Sequence, residues 1–348
     1  MKTSSLSSTE PQAAKRSKAR AFLFTGLLAV LVLAALTAYA DASALAASLR
    51  AFRVEYFIAG LALATLNYAL RFWRWELYLR SVGLRVPLFD NLLVFLAGFT
   101  MSITPGKAGE LLKALLLYQA HATPPEKSAP LVIAERLSDL ISLVILALLG
   151  SLVFPQGAGI ALICGLFLLV AIALLVWRPL VERILRWSER FRLVAKHSGR
   201  ISEAYEALRG TFRPLTFLSA LALALLAWGA ECLSLYYIVR GFSAGTLSLS
   251  ASFFAYAGPT IAGALAMLPG GLGVTEATMT GALRSLSHPP LDAAVATATT
   301  LLVRFATLWW GVLLGFAALL LFKARGKRGT PRPTLENAED RLPEASDA

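Results

Sequence analysis

The chain has 348 residues, of which 57% are hydrophobic and only 16% charged, and a mean hydropathy of +0.65; a soluble domain is nearer a quarter charged. Two cysteines, Cys164 and Cys232, both inside apolar runs, and three scattered histidines exclude a disulfide framework or a Cys/His zinc site, and no GxxxxGK[ST] loop is present to hold nucleotide phosphates. The net charge of +12 fits the Lys/Arg excess of cytoplasmic loops rather than nucleic-acid binding, and the composition predicts an all-α polytopic membrane protein.

In chain order, residues 1–20 form a polar tail ending in Lys15, Arg16, Lys18 and Arg20, and an uncharged apolar run follows at 21–40. Its end, Ala38-Tyr39-Ala40, mimics a signal-peptidase site. The run is longer than the roughly 7–15 residues of a signal-peptide core, so an uncleaved anchor is expected. A span is predicted at 56–79. The apolar stretch 88–103 then breaks at Thr104-Pro105-Gly106-Lys107-Ala108-Gly109 and resumes over 110–118. Spans at 129–154 and 157–177 lead to a stretch from Arg178 to Arg213 with nine basic and four acidic residues. Its interspersed Leu185, Trp187 and Phe191 suggest interfacial helices on an anionic lipid surface. Next come a span at 214–239 and an apolar stretch at 249–267, which breaks at Leu268-Pro269-Gly270-Gly271-Leu272-Gly273 and resumes over 274–286. A last span covers 291–322, and 323–348 reads as a disordered cytoplasmic tail. The membrane part thus divides into a first unit at 56–154, a connecting region at 155–213 and a second unit at 214–322.

A Pro-Gly pair ends a helix, because proline lacks the N–H and glycine loses most backbone entropy. Irregular backbone at membrane depth survives only when buried in protein or lining a wet cavity. Both broken stretches are therefore read as re-entrant helical hairpins, giving about six full spans plus two hairpins. Two ordinary spans joined by a tight loop would leave the topology parity unchanged. With the N-terminus inside, 23 Lys and Arg fall on the cytoplasmic side and 4 outside: Arg50, Arg53, Arg240 and Arg284. This places both termini in the cytoplasm of a cell-membrane protein. The first hairpin then enters from the cytoplasm and the second from outside, an inverted repeat of the kind secondary transporters use. Each break precedes a glutamate, Glu110 or Glu276, and each unit carries an arginine in its following span, Arg136 or Arg304.

Pro105-Gly106-Lys107-Ala108-Gly109-Glu110, Glu135-Arg136-Leu137-Ser138-Asp139, Leu268 through Glu276 and Arg304 resemble the motifs of the lysylphosphatidylglycerol synthase transmembrane-region family, also described as flippase-like integral membrane proteins. The resemblance runs from about Tyr56 to Phe322. It implies a unit that moves a charged phospholipid between leaflets. The full synthases add a soluble aminoacyl-transferase domain; this chain stops shortly after its last span, so that enzymatic activity is not implied, and no cofactor is expected.

Charges inside apolar segments cost about 2.5–3.5 kcal/mol each at the membrane centre, so they pair, face water or mark a substrate path. The candidate substrate-binding set is Lys107, Arg136 and Arg304 with Glu110, Glu276, Gly106, Gly109, Gly270 and Gly273. Two helix starts with positive dipole ends would converge there on one phosphate-bearing group, such as a phospholipid or polyprenyl-phosphate-type lipid. The structural alternative pairs Arg136 with Glu110 and Arg304 with Glu276, and makes the glutamates helix-start residues. Asp139, three residues past Arg136, can hold that arginine. Arg71 and Arg74 share a face with Asn67 and Tyr78. They read either as snorkelling side chains in an aromatic belt with Trp73 and Trp75 or as the way in for a headgroup. Glu231 stands alone in its span, either as a proton-coupling group or as a neutral buried acid. Two rivals remain at this point: a membrane enzyme acting on a lipid carrier, and a scaffold docking partners through the Arg178 to Arg213 stretch.

Overall fold

The computed structural model describes residues 34–102, 111–152 and 213–326, together with residues 27, 30–32, 159, 165, 166 and 183. The first break with Gly106, Lys107, Gly109 and Glu110, the run 167–182, the basic stretch up to 212 except Arg183, and the C-terminal tail from 327 lie outside the described residues. Among the described residues all regular elements are helical; the one extended pairing is an isolated bridge between Thr246 and His288.

A helix over Val30–Ala40 stops at Asp41, where φ is 63°, and the chain turns by 90° into α1 (Ala42–Ala51). The Asp41 carboxylate accepts from the amide of Ser43 at 2.8 Å, satisfying a donor that a helix start leaves open. The region between the anchor and the first predicted span is therefore helical, and it packs on α9 (Ala293–Arg304).

The centre of the molecule is the pairing of α2 (Val54–Ser81) with α6 (Pro214–Arg240). In α2 the buried positions include Gly60, Ala64, Asn67, Arg71, Arg74 and Tyr78; in α6 they include Ala220, Ala224, Ala227, Glu231, Ser234 and Ile238. Both stripes step by three and four residues, the seam along which long helices pack. The small side chains let the backbones approach, as membrane helix pairs require. The two helices run antiparallel: Gly60 lies against Ile238 and Ser234, while Asn67 Nδ2 donates to the Ala227 carbonyl at 2.9 Å.

Around this pair lie α3 (Leu88–Gly98), extended by a 3-10 turn at Phe99–Met101, α4 (Leu112–His121), α5 (Pro125–Ser151), α7 (Leu249–Leu265), α8 (Val274–Leu286) and α9. A π-helical turn at Phe305–Trp309 joins α9 to α10 (Trp310–Gly326). The second predicted break is real: α7 ends, Pro269–Gly271 forms a 3-10 turn, and Gly270, Gly271 and Gly273 all have positive φ, where only glycine is unstrained. α7 and α8 fold back on one another as a hairpin. A methyl group on Gly263 would lie 1.9 Å from Thr275 Oγ1, so the arms touch at their base. α3 and α4 also pack together across the first break.

The helix contacts come in matched pairs. α5 lies on α7 as α10 lies on α3; α4 meets α5 as α8 meets α9; α2 touches α5 as α6 touches α9; α5 also borders α6 as the π turn borders α2. Both of the first-named contacts are made through glycine. A methyl on Gly150 would reach 2.5 Å from the Phe254 nitrogen, and one on Gly315 would reach 2.8 Å from the Thr100 nitrogen.

By length and composition, Pro214–Arg240 and Ala293–Arg325 can cross a membrane, and the bent pair at Val30–Ala51 would make a third span. Both helices turn leucines outward, Leu215, Leu218 and Leu226 on one and Leu313, Leu320 and Leu321 on the other, as a lipid-facing surface does. α2 and α5, with 28 and 27 residues, are long enough for about 30 Å of hydrocarbon, but their charges keep them from reading as simple apolar spans.

Candidate functional site

Four elements build a polar cluster in the interior. α2 supplies Arg71 and Arg74, α4 supplies Lys113, and α5 supplies Glu135, Arg136 and Asp139, while α6 contributes the Trp228 indole. Asp139 is the hub. Its carboxylate meets Arg74 at 2.7 Å, Arg136 at 3.0 Å and Arg71 at 3.9 Å, and accepts from Trp228 Nε1 at 2.9 Å. Glu135, one helical turn earlier, takes Lys113 and stands 3.9 Å from Arg74. Arg74 and Glu135 have no exposed surface at all.

A buried ion pair is tolerable only when both charges are held in good geometry, since desolvation costs several kcal/mol per ion. Arg74 is compensated in charge by lying between Asp139 at 2.7 Å and Glu135 at 3.9 Å. Arg71 is compensated less closely: its ion pair with Asp139 is long, at 3.9 Å, and its guanidinium lies 5.2 Å from the Phe99 ring centroid. Both guanidinium groups are buried and turned toward acids of α5 rather than held out to water, as snorkelling would require. The partners that hold them sit some 60 positions away on α5, beyond what local spacing reveals.

Glu276 and Arg304 meet at the second break. Arg304 Nε donates to Glu276 Oε1 at 2.5 Å and its NH2 donates to the Gly270 carbonyl at 2.6 Å. Glu276 Oε2 in turn accepts from the Gly273 amide at 2.7 Å, closing the start of α8. One arginine thus ties the last span to the turn and to the first turn of the helix beyond it. The π turn follows Arg304 directly, and Tyr68 Oη donates to the Thr307 carbonyl at 3.1 Å. Such turns widen a helix locally and cluster at functional sites.

These two charge groups border one cavity of about 310 Å³. Arg71, Arg136, Asp139, Glu231 and Arg304 line it, with Tyr68, Trp228 and Tyr256 as aromatic wall and Gly270, Gly271 and Thr275 from the broken hairpin. Glu231 accepts from Tyr256 Oη at 2.5 Å. The structure therefore brings together Arg71, Arg136, Asp139, Glu231, Arg304 and Gly270 of the sequence candidates. Arg74 and Glu276 stand one contact behind, and Gly273 lines a separate apolar groove beside Val32, Leu36 and Tyr39. Gly106, Lys107, Gly109 and Glu110 are outside the described residues.

Sequence reasoning gave no role to Glu135 and Lys113, or to Trp228, Tyr68 and Tyr256. The first two carried a signal, a charge in an apolar run, without naming a partner. The aromatics carried none, because a tyrosine or tryptophan in a membrane helix reads as bulk until its polar atom is seen to bond.

Comparison with known proteins adds two findings. A family model described as the lysylphosphatidylglycerol synthase TM region matches residues 25–315. A UPF0104 membrane protein of Methanothermobacter thermautotrophicus is 25% identical over 322 residues, covering 85% of this chain and 94% of that relative.

Proposed function

The chain belongs to the lysylphosphatidylglycerol synthase TM region family, with residues 25–315 matched, and from that premise we propose that this integral membrane protein moves an anionic or phosphate-bearing lipid between leaflets. The observation that carries the reading is the shared cavity. Arg71, Arg136 and Arg304, from α2, α5 and α9, line one space that also contains the turn of a broken hairpin. Guanidinium groups match phosphate oxygens in pairs and hold their charge at any physiological pH. The headgroup would occupy the cavity while the acyl chains remain in the surrounding hydrocarbon.

The matched helix contacts support a repeat of α2–α5 and α6–α10; with the Lys and Arg count we read it as inverted, with both hairpins re-entrant, α2 and α5 as charged spans, and the termini cytoplasmic. Alternating access would then exchange the roles of the two units around the central α2–α6 pair. Lys107, Glu110, Gly106 and Gly109 would complete the cavity from the first hairpin. The Arg178 to Arg213 stretch would rest on anionic lipid at the cytoplasmic surface.

The test is reconstitution into liposomes carrying a trace of fluorescent phospholipid, with leaflet exchange read by an impermeant quencher. Hydrogen bonds to charged groups contribute about 1.5–3 kcal/mol, so Arg71→Ala and Arg136→Ala should each lower exchange about tenfold or more. Folded protein that leaves exchange unchanged for zwitterionic, anionic and polyprenyl-phosphate probes alike would overturn the proposal.

A further inference from the structure

Glu231 is the only charged side chain between Arg213 and Arg240, and α6 brings it to the cavity wall with 3% of its surface exposed. It caps no helix, lying in the middle of one. Its carboxylate accepts a 2.5 Å hydrogen bond from Tyr256 on α7. The charged and titratable groups facing the same space are Tyr68 and Arg71 on α2, Arg136 and Asp139 on α5, Tyr256 on α7 and Arg304 on α9. Asp139 is engaged by Arg74 and Arg136, and Arg304 by Glu276. Arg71 lines the cavity and makes only a long ion pair, 3.9 Å from Asp139.

Resting on the lipid-transport reading above, we propose that Glu231 is a proton-binding site coupled to the anionic guest, so that transport is proton–anion symport. Before the guest binds, the cavity wall carries two carboxylates: Asp139, which Arg74 and Arg136 hold, and Glu231, whose bond from Tyr256 adds no positive charge. A phosphate-bearing headgroup brings its own negative charge into the same small, low-dielectric space, where two like charges repel strongly. Glu231 relieves that repulsion by taking one proton from water, becoming the neutral acid, while Tyr256 keeps its own hydroxyl proton. When the guest leaves on the opposite face, the proton leaves with it. Linkage makes the effect reciprocal: protonation favours the guest by the same factor as the guest favours protonation.

The experiment uses the full chain in a neutral detergent and dihexanoyl phosphatidylglycerol as the probe. Its phosphate stays singly charged between about pH 5 and 9, the range in which a perturbed carboxyl can titrate. Binding is read by tryptophan fluorescence, since Trp228 lines the cavity, and proton uptake by a pH indicator in weakly buffered solution. Wild-type protein should take up as much as about one proton per lipid bound, with affinity falling up to about tenfold per pH unit above the midpoint. Glu231→Gln should bind the lipid with no proton uptake and no pH dependence. Tyr256→Phe keeps the carboxyl and should displace the midpoint while retaining uptake, which also serves if the glutamine variant fails to fold. Lipid binding by the wild type that is proton-free and flat with pH, or wild-type uptake persisting in Glu231→Gln, overturns the coupling and leaves the anion site standing. Absence of any lipid binding by the wild type overturns the anionic-lipid reading and the coupling with it.

Discussion

Asp139 accepts more positive charge than one carboxylate can neutralise, and the order of its partners separates a structural arginine from a functional one. Arg74 is fully buried, lies 2.7 Å from Asp139 and 3.9 Å from Glu135, and does not line the cavity. Arg71 lines the cavity and makes only a long pair. Breaking a buried pair by removing one partner costs about 3–5 kcal/mol, because the abandoned charge stays buried. Arg74→Ala should therefore lose about that much stability, seen as a large drop in unfolding temperature in detergent. Arg71→Ala should unfold close to the wild-type temperature yet lose anionic-lipid binding. Equal destabilisation by both would make Arg71 a structural residue as well. The charges themselves were legible, since any Lys, Arg, Asp or Glu in an apolar run stands out. Two pairings were legible as well, Arg136 with Asp139 from their spacing and Arg304 with Glu276 from the repeat; that Arg71 and Arg74 point to α5 was not, because it follows from the tertiary packing of two helices remote in sequence.

The hairpin of α7 and α8 shows how a short motif controls an element. Its positive-φ glycines make the turn, and Arg304 pins that turn to the last span through the Gly270 carbonyl and Glu276. Gly263 lets the arms meet: its missing side chain would lie 1.9 Å from Thr275 Oγ1 and 3.3 Å from Thr275 Cβ. Gly263→Ala should push the arms apart and cost about 1–3 kcal/mol, the usual range for overpacking. Thr275→Ala, harmless on its own at this contact, should restore much of that loss in the double variant, because it removes the atom that clashes. A thermal-unfolding double-mutant cycle would read the coupling, and strict additivity would show that the arms do not touch there. The Pro-Gly-x-x-Gly pattern made the break legible because proline and glycine act locally. The π turn after Arg304 was illegible for the opposite reason. Its Thr307 carbonyl accepts from Tyr68 of α2 at 3.1 Å, a partner that no local pattern announces.

At the scale of the molecule, the matched contacts give the proposed mechanism its geometry. If α2–α5 and α6–α10 are related by an axis in the membrane plane, the last span of each unit lies on the first hairpin arm of the other. Rocking one unit must then open the cavity to one side as it closes to the other. On the topology proposed from the Lys and Arg count, the first break would open to the cytoplasm and the second to the outside. A single cysteine at each break tests this, in a background with Cys164 and Cys232 replaced. Met267, 63% exposed beside the second break, is one position, and Ala108 within the first is the other. In intact cells an impermeant maleimide should label Met267→Cys and spare Ala108→Cys; in inside-out vesicles the preference should reverse. An anionic lipid that traps one state should change both rates together, in opposite senses, because a two-state rocking motion cannot open both sides at once. Labelling of both positions from one side only, with or without lipid, would place the breaks on a common face. The axis, and with it the alternation of access, would then be lost, while the arginine-lined cavity would have to serve a lipid reaching it from a single leaflet.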